Sequence, residues 1–209
     1  MDNGKRTVVV TGFGPFGEHA VNASWVAVKE LEQLGLGPGV DLHVHEVPVE
    51  YQAVSCLVPS LWEQYHPQLV VHVGVSGAAT AITLEMCGHN HGYKRPDNCS
   101  FCPDTHCCVE GGADCIKSVI DMETVCQRVK ASGLGVSVTV SKDAGRYLCD
   151  YTYYLSLHLS GGSSAFVHVP PLGKPYSGEQ LGHALRAILL EMLEQLGQDQ
   201  DANHCEHGH

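Results

Sequence analysis

The sequence predicts a single α/β domain, and two observations carry this prediction. Short runs rich in β-branched residues alternate along the chain with amphipathic stretches long enough for helices, a pattern that is typical of α/β proteins. The chain has 209 residues, which suffices for one sizeable hydrophobic core and hardly for two. The domain is therefore expected to occupy residues 1–196, and the polar, acidic and His-rich stretch 197–209 is expected to be a disordered tail.

The first half of the chain alternates between predicted strands and helices. A β-branched run at 6–11 predicts the first strand, and the helix that follows has Asn22 or Ser24 as its candidate N-cap and Gly35 as its stop. The stretch 69–75 is the strand most expected to be buried, because its apolar residues are nearly continuous. The further predicted elements are helix 24–34, strand 41–47, a helix around 54–62 and strand 80–86.

An irregular segment interrupts this alternation between Gly88 and about Ser118. It has no sustained periodicity and is rich in His, Cys, Gly and Pro, and excursions of this length are usually functional or flexible. Regular elements resume at Asp121, which is the candidate cap of a helix that runs to Lys130. The later predictions are strand 136–141, helix 146–159, strand 164–170 and helix 178–196.

The charge balance and the cysteine content narrow the class of protein. The chain has 12 basic and 23 acidic residues and a formal net charge of -11, which is the wrong sign for binding nucleic acid or an anionic membrane surface. Small or uncharged partners are therefore favoured. No apolar run approaches the length of a membrane-spanning helix or a signal-peptide core, so a cytosolic location is expected. In that reducing compartment the 10 cysteines should be free thiols, metal ligands or catalysts.

Cys149 is the most informative of these cysteines, because it falls at a predicted strand-to-helix junction. In the first turn of a helix, the unpaired backbone N–H groups and the macrodipole stabilise an anion such as a thiolate, which is the reactive form of cysteine. His168 lies near the C-terminal end of a later predicted strand, where the chemistry of open α/β sheets collects. Its imidazole is placed to take the thiol proton and to protonate a leaving amine. Each signal alone is weak, since buried cysteines and core histidines are common.

A glycine-rich loop at residues 12–17 matches the G-x-G-x-x-G pattern of dinucleotide-binding proteins, after a strand and before a helix. Pro15 removes an N–H that should cradle pyrophosphate, and Phe13 and Phe16 add bulk where a phosphate must approach closely. Glu46 also lies further along the chain than the usual acidic partner. Two phenylalanines at the end of a strand better suit a flat, uncharged ring held between aromatic side chains, or they simply pack the loop.

Five sequence blocks resemble those of the pyroglutamyl-peptidase I family in their order and spacing, and together they span nearly the whole chain. They are TGFGPFG (11–17), ITLE (82–85), RPDN (95–98), AGRYLC (144–149) and FVHVP (166–170). The resemblance implies a cysteine peptidase that removes an N-terminal pyroglutamyl residue from peptides. It also implies a three-layer α/β/α sandwich around a mostly parallel twisted sheet, without a metal or an organic cofactor.

Carried over to the matching positions, the resemblance implies roles for individual residues. Cys149 is expected to be the nucleophile, His168 the base, and Glu85 the group that orients the imidazole and stabilises its charge. Phe13 and Phe16 match phenylalanines that contact the substrate ring in the family. Pyroglutamate is a lactam with no free amine, so apolar stacking and hydrogen bonds to its N–H and C=O must select it. The expected substrates are small peptides that begin with pyroglutamate.

The irregular segment departs from the shorter bacterial members of the family, because four cysteines and three histidines there superficially resemble a zinc site. They are Cys99, Cys102, Cys107 and Cys108, with His89, His91 and His106. Their spacing is too tight for two zinc-binding hairpins, and adjacent cysteines seldom ligate one ion well, so no metal is expected.

Three further expectations stay open at this stage. The altered surface of the irregular segment favours a monomer, although bacterial members of the family associate as tetramers. One alternative function is that of another cysteine-dependent amidohydrolase on the same fold, which would keep Cys149 and His168 without the selectivity for pyroglutamate. The other is a non-catalytic zinc-binding interaction module, which would be indifferent to the loss of Cys149.

Overall fold

A central β-sheet organises the computed structural model, which describes residues 4–205. In chain order the strands are β1 (Arg6–Phe13), β2 (Val40–Val47), β3 (Leu69–Val75), β4 (Ile82–Glu85), β5 (Cys87–His89), β6 (Cys115–Lys117), β7 (Val138–Ser141) and β8 (Ser164–Val169). Six of them form one sheet in the order β2-β1-β3-β8-β4-β7, and β5 and β6 pair separately. Strands β2, β1, β3 and β8 are mutually parallel, whereas β4 is antiparallel to β8 and parallel to β7. The sheet is therefore mostly parallel, as expected.

Helices cover both faces of this sheet. They are α1 (Ala23–Leu34), α2 (Tyr51–Tyr65), α3 (Met122–Ala131), α4 (Leu148–Ser160) and α5 (Gly178–Cys205). Helices α1, α3 and α5 pack on one face in a core that includes Val167 of β8, and α2 and α4 pack on the other with the adjacent Phe166. Neighbouring residues of a strand point to opposite faces, so β8 has to be apolar on both. This arrangement confirms the expected α/β/α sandwich in a single domain. None of the described helices has the length and apolar character needed to cross a membrane.

Two of the predicted helix starts are confirmed by their capping bonds. Asn22 Oδ1 accepts a hydrogen bond from Ser24 N at the start of α1 (3.0 Å), and Asp121 Oδ1 accepts one from Thr124 N at the start of α3 (3.1 Å). Such side chains satisfy backbone donors that have no partner inside the helix. Of the two cap candidates for α1, Asn22 is the cap. Ser24 instead accepts a hydrogen bond from Phe13 N (3.0 Å) and ties the glycine-rich loop to the helix.

The last helix is longer than predicted. Regular structure was expected to end at Leu196, with a disordered tail from Gly197, but α5 continues to Cys205. Residues 198–205 include two Gln, two Asp and no proline. The single glycine at position 197 therefore costs about 1 kcal/mol of helix stability without ending the helix. The last residues of the expected tail, 206–209, lie outside the described part of the chain.

The irregular segment is ordered around one buried side chain and a short antiparallel pair of strands, β5 and β6, which we call the hairpin. Strands β5 and β6 pair antiparallel, with His89 opposite Cys115. Gly88 packs against α4, where a Cβ would lie only 2.8 Å from Tyr154 N, so this close approach requires glycine. Asn90 is fully buried and holds the return of the chain, because its side chain donates to Val109 O and accepts from Val109 N, each at 2.7 Å.

Candidate active site

Cys149 lies in the first turn of α4, as predicted from the sequence. The helix begins at Leu148 after its N-cap Tyr147, and the backbone hydrogen bond from Tyr151 N to Tyr147 O (3.0 Å) closes its first turn. The N–H groups before Tyr151 therefore have no acceptor inside the helix. Together with the macrodipole, they place positive potential beside the Cys149 thiol.

The loop before α4 forms a turn that aims Cys149 at the sheet. Gly145 adopts a φ of +88°, a conformation that glycine reaches without strain. Asp143 Oδ1 accepts hydrogen bonds from Gly145 N (3.0 Å) and Arg146 Nη1 (2.7 Å). Partial burial raises the pKa of Asp143, but these two bonds outweigh that effect and the pKa is lowered. The charged aspartate thus stabilises the turn that precedes the nucleophile candidate.

The thiol of Cys149 lies over Gly74, beside His168. Gly74 of β3 pairs with His168 of β8, and a Cβ on Gly74 would lie 2.7 Å from Cys149 Sγ and 2.8 Å from Phe166 Cζ. Any larger residue at this position would displace the thiol. Sequence reasoning missed this role of Gly74, although an isolated glycine within an apolar strand signals a close approach by another group.

His168 and Glu85 form a buried pair across two neighbouring strands. His168 pairs with Thr83 and Glu85 pairs with Phe166 in the antiparallel β4–β8 ladder, so Glu85 and His168 are diagonal neighbours on the same face. His168 Nδ1 lies 2.8 Å from Glu85 Oε1, and the two residues are only 8% and 2% exposed. Tyr153 of α4 donates a hydrogen bond to Glu85 O (2.8 Å) and so holds the strand in place.

The acid and the thiol together determine the charge of His168. Burial lowers the pKa of the imidazole, but the charge of the Cys149 thiolate, its hydrogen bond to the ring and the Glu85 carboxylate outweigh burial and raise the pKa to about 10. The imidazole is therefore expected to be protonated at neutral pH. Because Nδ1 of His168 is hydrogen-bonded to Glu85, Nε2 is the ring nitrogen that is available to exchange a proton with Cys149.

A cavity of about 600 Å³ opens in front of these three residues. Phe13, which ends β1 and is 3% exposed, and the half-buried Phe16 line it together with Cys149, Glu85 and His168. The structure therefore brings all five residues singled out from the sequence to one cavity. Its polar lining includes residues that sequence reasoning did not single out, namely Ser76, Thr83, Arg95 and Asp143. The Arg95 guanidinium stacks over the Tyr147 ring, with Cζ 4.2 Å from the ring centroid.

The glycine-rich loop is engaged by the protein itself, which disfavours a phosphate ligand. Gly14 N donates to Val47 O (2.9 Å), and Phe13 N donates to the hydroxyl of Ser24. A Cβ on Gly14 would also lie 3.0 Å from the Glu46 carboxylate, which would repel an anion. These glycines allow close packing of the loop, in agreement with the argument against a dinucleotide site.

Three of the four cysteines that superficially resembled a zinc site have thiols that contact different groups. Cys102 Sγ contacts Tyr93 O (2.9 Å), Cys107 Sγ contacts His91 Nδ1 (3.0 Å) and Cys108 Sγ contacts Tyr151 O (3.5 Å). Among the side chains that the structure describes, the group close enough to hold a metal ion is a different one, formed by Cys87, His89 and Cys115.

A cysteine in a helix N-terminal turn, paired with a histidine and a buried carboxylate in an α/β sandwich, defines a cysteine hydrolase. The sequence profile described as pyroglutamyl peptidase matches residues 6–184, and the chain belongs to this family. It is 66% identical over 206 residues to pyroglutamyl-peptidase 1 of Homo sapiens, covering 98% of this chain and 99% of the relative.

Solved structures agree with this assignment. The pyrrolidone carboxyl peptidase of Fervidobacterium islandicum AW-1 superposes with a TM-score of 0.82 at 29% identity, covering 91% of this chain and 99% of that one. A mutant pyrrolidone carboxyl peptidase from Pyrococcus furiosus gives a TM-score of 0.82 at 26% identity with the same coverage of both chains.

Proposed function

We propose that the protein is a cysteine peptidase that hydrolyses the N-terminal pyroglutamyl residue from peptides. The observation that carries this proposal is the alignment of Cys149, His168 and Glu85 along one side of a cavity whose wall includes Phe13 and Phe16. Membership of the pyroglutamyl peptidase family and the high identity to pyroglutamyl-peptidase 1 support the same activity.

The first half of the reaction forms a thioester. The thiolate of Cys149 attacks the pyroglutamyl carbonyl carbon, and the electron pair of the C=O bond moves to oxygen. When the tetrahedral intermediate collapses, the C–N bond breaks and protonated His168 transfers its proton to the departing amine. Backbone N–H groups in the first turn of α4 are the natural donors to the oxyanion, because they have no acceptor within the helix.

The second half of the reaction releases pyroglutamate. His168 is now neutral and takes a proton from water as the water oxygen attacks the thioester carbon. Collapse of this second intermediate breaks the C–S bond and regenerates the thiolate and the imidazolium. Glu85 fixes the ring through Nδ1 and stabilises the positive charge of the imidazolium.

Selectivity for pyroglutamate follows from the combination of aromatic and polar walls in the cavity. Phe13 and Phe16 offer apolar faces to a small flat ring. Polar side chains of the same cavity and exposed backbone groups supply partners for the lactam N–H and C=O. A proline ring lacks the lactam carbonyl and would leave such partners buried and unpaired, which costs about 1–3 kcal/mol for each group.

The expected setting of the enzyme is a monomer in the cytosol. The cysteines whose side chains the structure describes, from Cys56 to Cys149, are all free, as suits a reducing compartment. Small peptides with an N-terminal pyroglutamate are the proposed partners. Sedimentation equilibrium of the purified chain would measure the oligomeric state, and a tetramer would contradict the monomer.

A pair of fluorogenic amides tests the proposed activity. The protein should release the fluorophore from the pyroglutamyl amide at least about a hundredfold faster than from the matched prolyl amide, because only the former carries the lactam carbonyl. Equal turnover of the two substrates would instead favour a less selective cysteine amidohydrolase on this fold. Turnover of neither would favour a non-catalytic role.

A further inference from the structure

The hairpin β5–β6 carries three side chains of metal-binding type on one face. Its register places His89 opposite Cys115 and Cys87 opposite Lys117. Alternate residues of paired strands share a face, so Cys87, His89 and Cys115 project together while Gly88 faces the other way, onto α4. One potential ligand atom from each of the three lies within 4.8 Å of the other two.

We infer that Cys87, His89 and Cys115 form a site for a zinc ion. Two thiolates and one imidazole are a donor set that zinc prefers, with Zn–S bonds near 2.3 Å and Zn–N bonds near 2.0–2.1 Å. Tetrahedral coordination at those lengths places the two sulfurs and the nitrogen about 3.5–3.8 Å apart. Since the three atoms already lie within 4.8 Å of one another, they need to approach one another by at most about 1.3 Å, which small side-chain rotations accomplish.

The two thiols differ in a way that suits uptake of an ion from solution. Cys87 is 6% exposed and anchored, since its Sγ donates to Lys142 O (3.2 Å). Cys115 lies at the exposed edge of the hairpin, so an ion can enter from that side and water can complete the tetrahedron.

Asp150 supplies the outer partner that metal-bound histidines usually keep. Its Oδ1 lies 3.5 Å from His89 Nδ1, and both carboxylate oxygens lie 3.3 Å from His89 N. The carboxylate is fully buried and also accepts a hydrogen bond from Tyr93 Oη (2.7 Å). A carboxylate behind a ligating histidine orients the ring and raises its basicity.

The position of the site indicates a structural ion. None of its three ligands is among the residues that line the active-site cavity, so the ion would not touch the substrate. Cys87 follows Glu85 by two residues, and Asp150 follows Cys149 directly. An ion bound here would tie the hairpin to the strand and the helix that carry the reacting groups, and it would stabilise their arrangement. This inference does not depend on the identity of the substrate.

Cobalt titration of the reduced, full-length protein tests the site. Because a divalent metal can also bind the catalytic thiol, the titration uses the Cys149→Ala variant, so that a thiolate-to-cobalt absorption band cannot arise there. We expect one equivalent of Co²⁺ to bind with a tetrahedral spectrum that Zn²⁺ displaces. On the same background, Cys115→Ser should lose about half of the thiolate band and bind at least tenfold more weakly.

Matched controls separate this site from the other thiols. Cys56→Ser on α2 and Cys107→Ser in the irregular segment should leave the cobalt spectrum unchanged. Absence of a thiolate band with Cys149→Ala, a band that survives Cys115→Ser at full strength, or a band lost with Cys107→Ser would each overturn the proposal.

Thermal unfolding gives a second, independent readout. Cys115 is exposed, so Cys115→Ser should unfold at the same temperature as the unaltered protein in the presence of a chelator. Zinc should then raise the unfolding temperature of the unaltered protein by several degrees and that of the variant hardly at all. Equal shifts in both proteins would contradict the assignment.

Discussion

Two groups of a cysteine, a histidine and a carboxylate lie close together in this molecule. The first group consists of Cys149, His168 and Glu85. The second group consists of Cys87, His89 and Asp150. Along the chain, Cys87 and His89 closely follow Glu85, and Asp150 directly follows Cys149. In the first, the acid holds the imidazole and the imidazole serves a single thiol above a cavity. In the second, the acid holds a histidine that faces two thiols on a hairpin. The same residue types are thus set up for nucleophilic attack in one place and for metal binding in the other.

Neighbouring backbone accounts for the difference between the two groups. Cys149 lies in a helix N-terminal turn over Gly74, where the missing Cβ leaves room for its sulfur and the helix N-terminus supplies positive potential. Cys87 lies on a short strand whose partner strand carries a second thiol, that of Cys115. The group closest to it is therefore a second potential metal ligand. The role of each thiol therefore depends more on its place in a helix or a strand than on the types of residue around it.

Replacing Cys149 and Cys87 one at a time should give the largest difference in activity between the two groups. Cys149→Ala removes the proposed nucleophile, and the turnover of the pyroglutamyl amide should fall by at least about a thousandfold. Cys87→Ser, in the second group, should change turnover less than about threefold. Steady-state kinetics measure both effects, with circular dichroism as the control for folding. Equal losses in the two variants would remove the distinction between the groups.

Removal of the Glu85 charge should have the next largest effect and should also shift the pH profile. Glu85→Gln is expected to lower kcat by about a hundredfold or more, because the amide no longer stabilises the imidazolium. Since Glu85 helps to raise the pKa of His168, its loss lowers that pKa. The alkaline limb of the kcat/KM profile should therefore move to lower pH. Glu85→Asp should restore part of the shift. An unmoved limb in Glu85→Gln would show that the carboxylate does not act on the imidazole.

A third histidine, His72, shows what burial does when no acid is near. It is fully buried on β3 with Thr11 Oγ1 2.6 Å from its Nδ1, and burial lowers its pKa to about 3. The folded pKa lies below the unfolded value of 6.5, so the unfolded chain binds the proton first as the pH falls. As the pH falls from 6.5 to about 3, the free energy of unfolding should therefore decrease. His72 contributes up to about 1.4 kcal/mol per pH unit to this decrease.

Chemical denaturation at a series of pH values measures this contribution. In His72→Gln the free energy of unfolding should depend less steeply on pH across that range, although the variant is less stable at neutral pH. Identical slopes in the variant and the unaltered protein would show that His72 is not the group responsible.

Local signals predicted those parts of the structure that depend on neighbouring residues. Asn22 and Asp121 are caps as their residue types indicate, and Cys149 lies in a first helical turn because the strand-to-helix junction is visible in the sequence. The pairing of Glu85 with His168 was different, since it depends on β4 running antiparallel to β8. From the sequence, only the family resemblance connects those two residues.

Features that depend on long-range register were not predicted. Gly74 was read simply as part of a buried strand, because the sequence does not show which side chain lies above it. Cys87 and Cys115 are separated by the whole irregular segment, and only the β5–β6 pairing brings them together. The interpretation of four other cysteines as a superficial zinc pattern rested on spacing, and spacing alone carries no information about how a segment without periodicity folds.

Affinity labelling with a pyroglutamyl chloromethyl ketone tests most directly whether Cys149 is the thiol that reacts. The thiolate sulfur displaces chloride and forms a stable thioether, which peptide mapping by mass spectrometry locates. One label per chain should appear on Cys149, in step with the loss of activity, while Cys87 and Cys115 stay unmodified. Loss of activity with the label on any other cysteine, or full activity with Cys149 completely labelled, would contradict the assignment of the two groups.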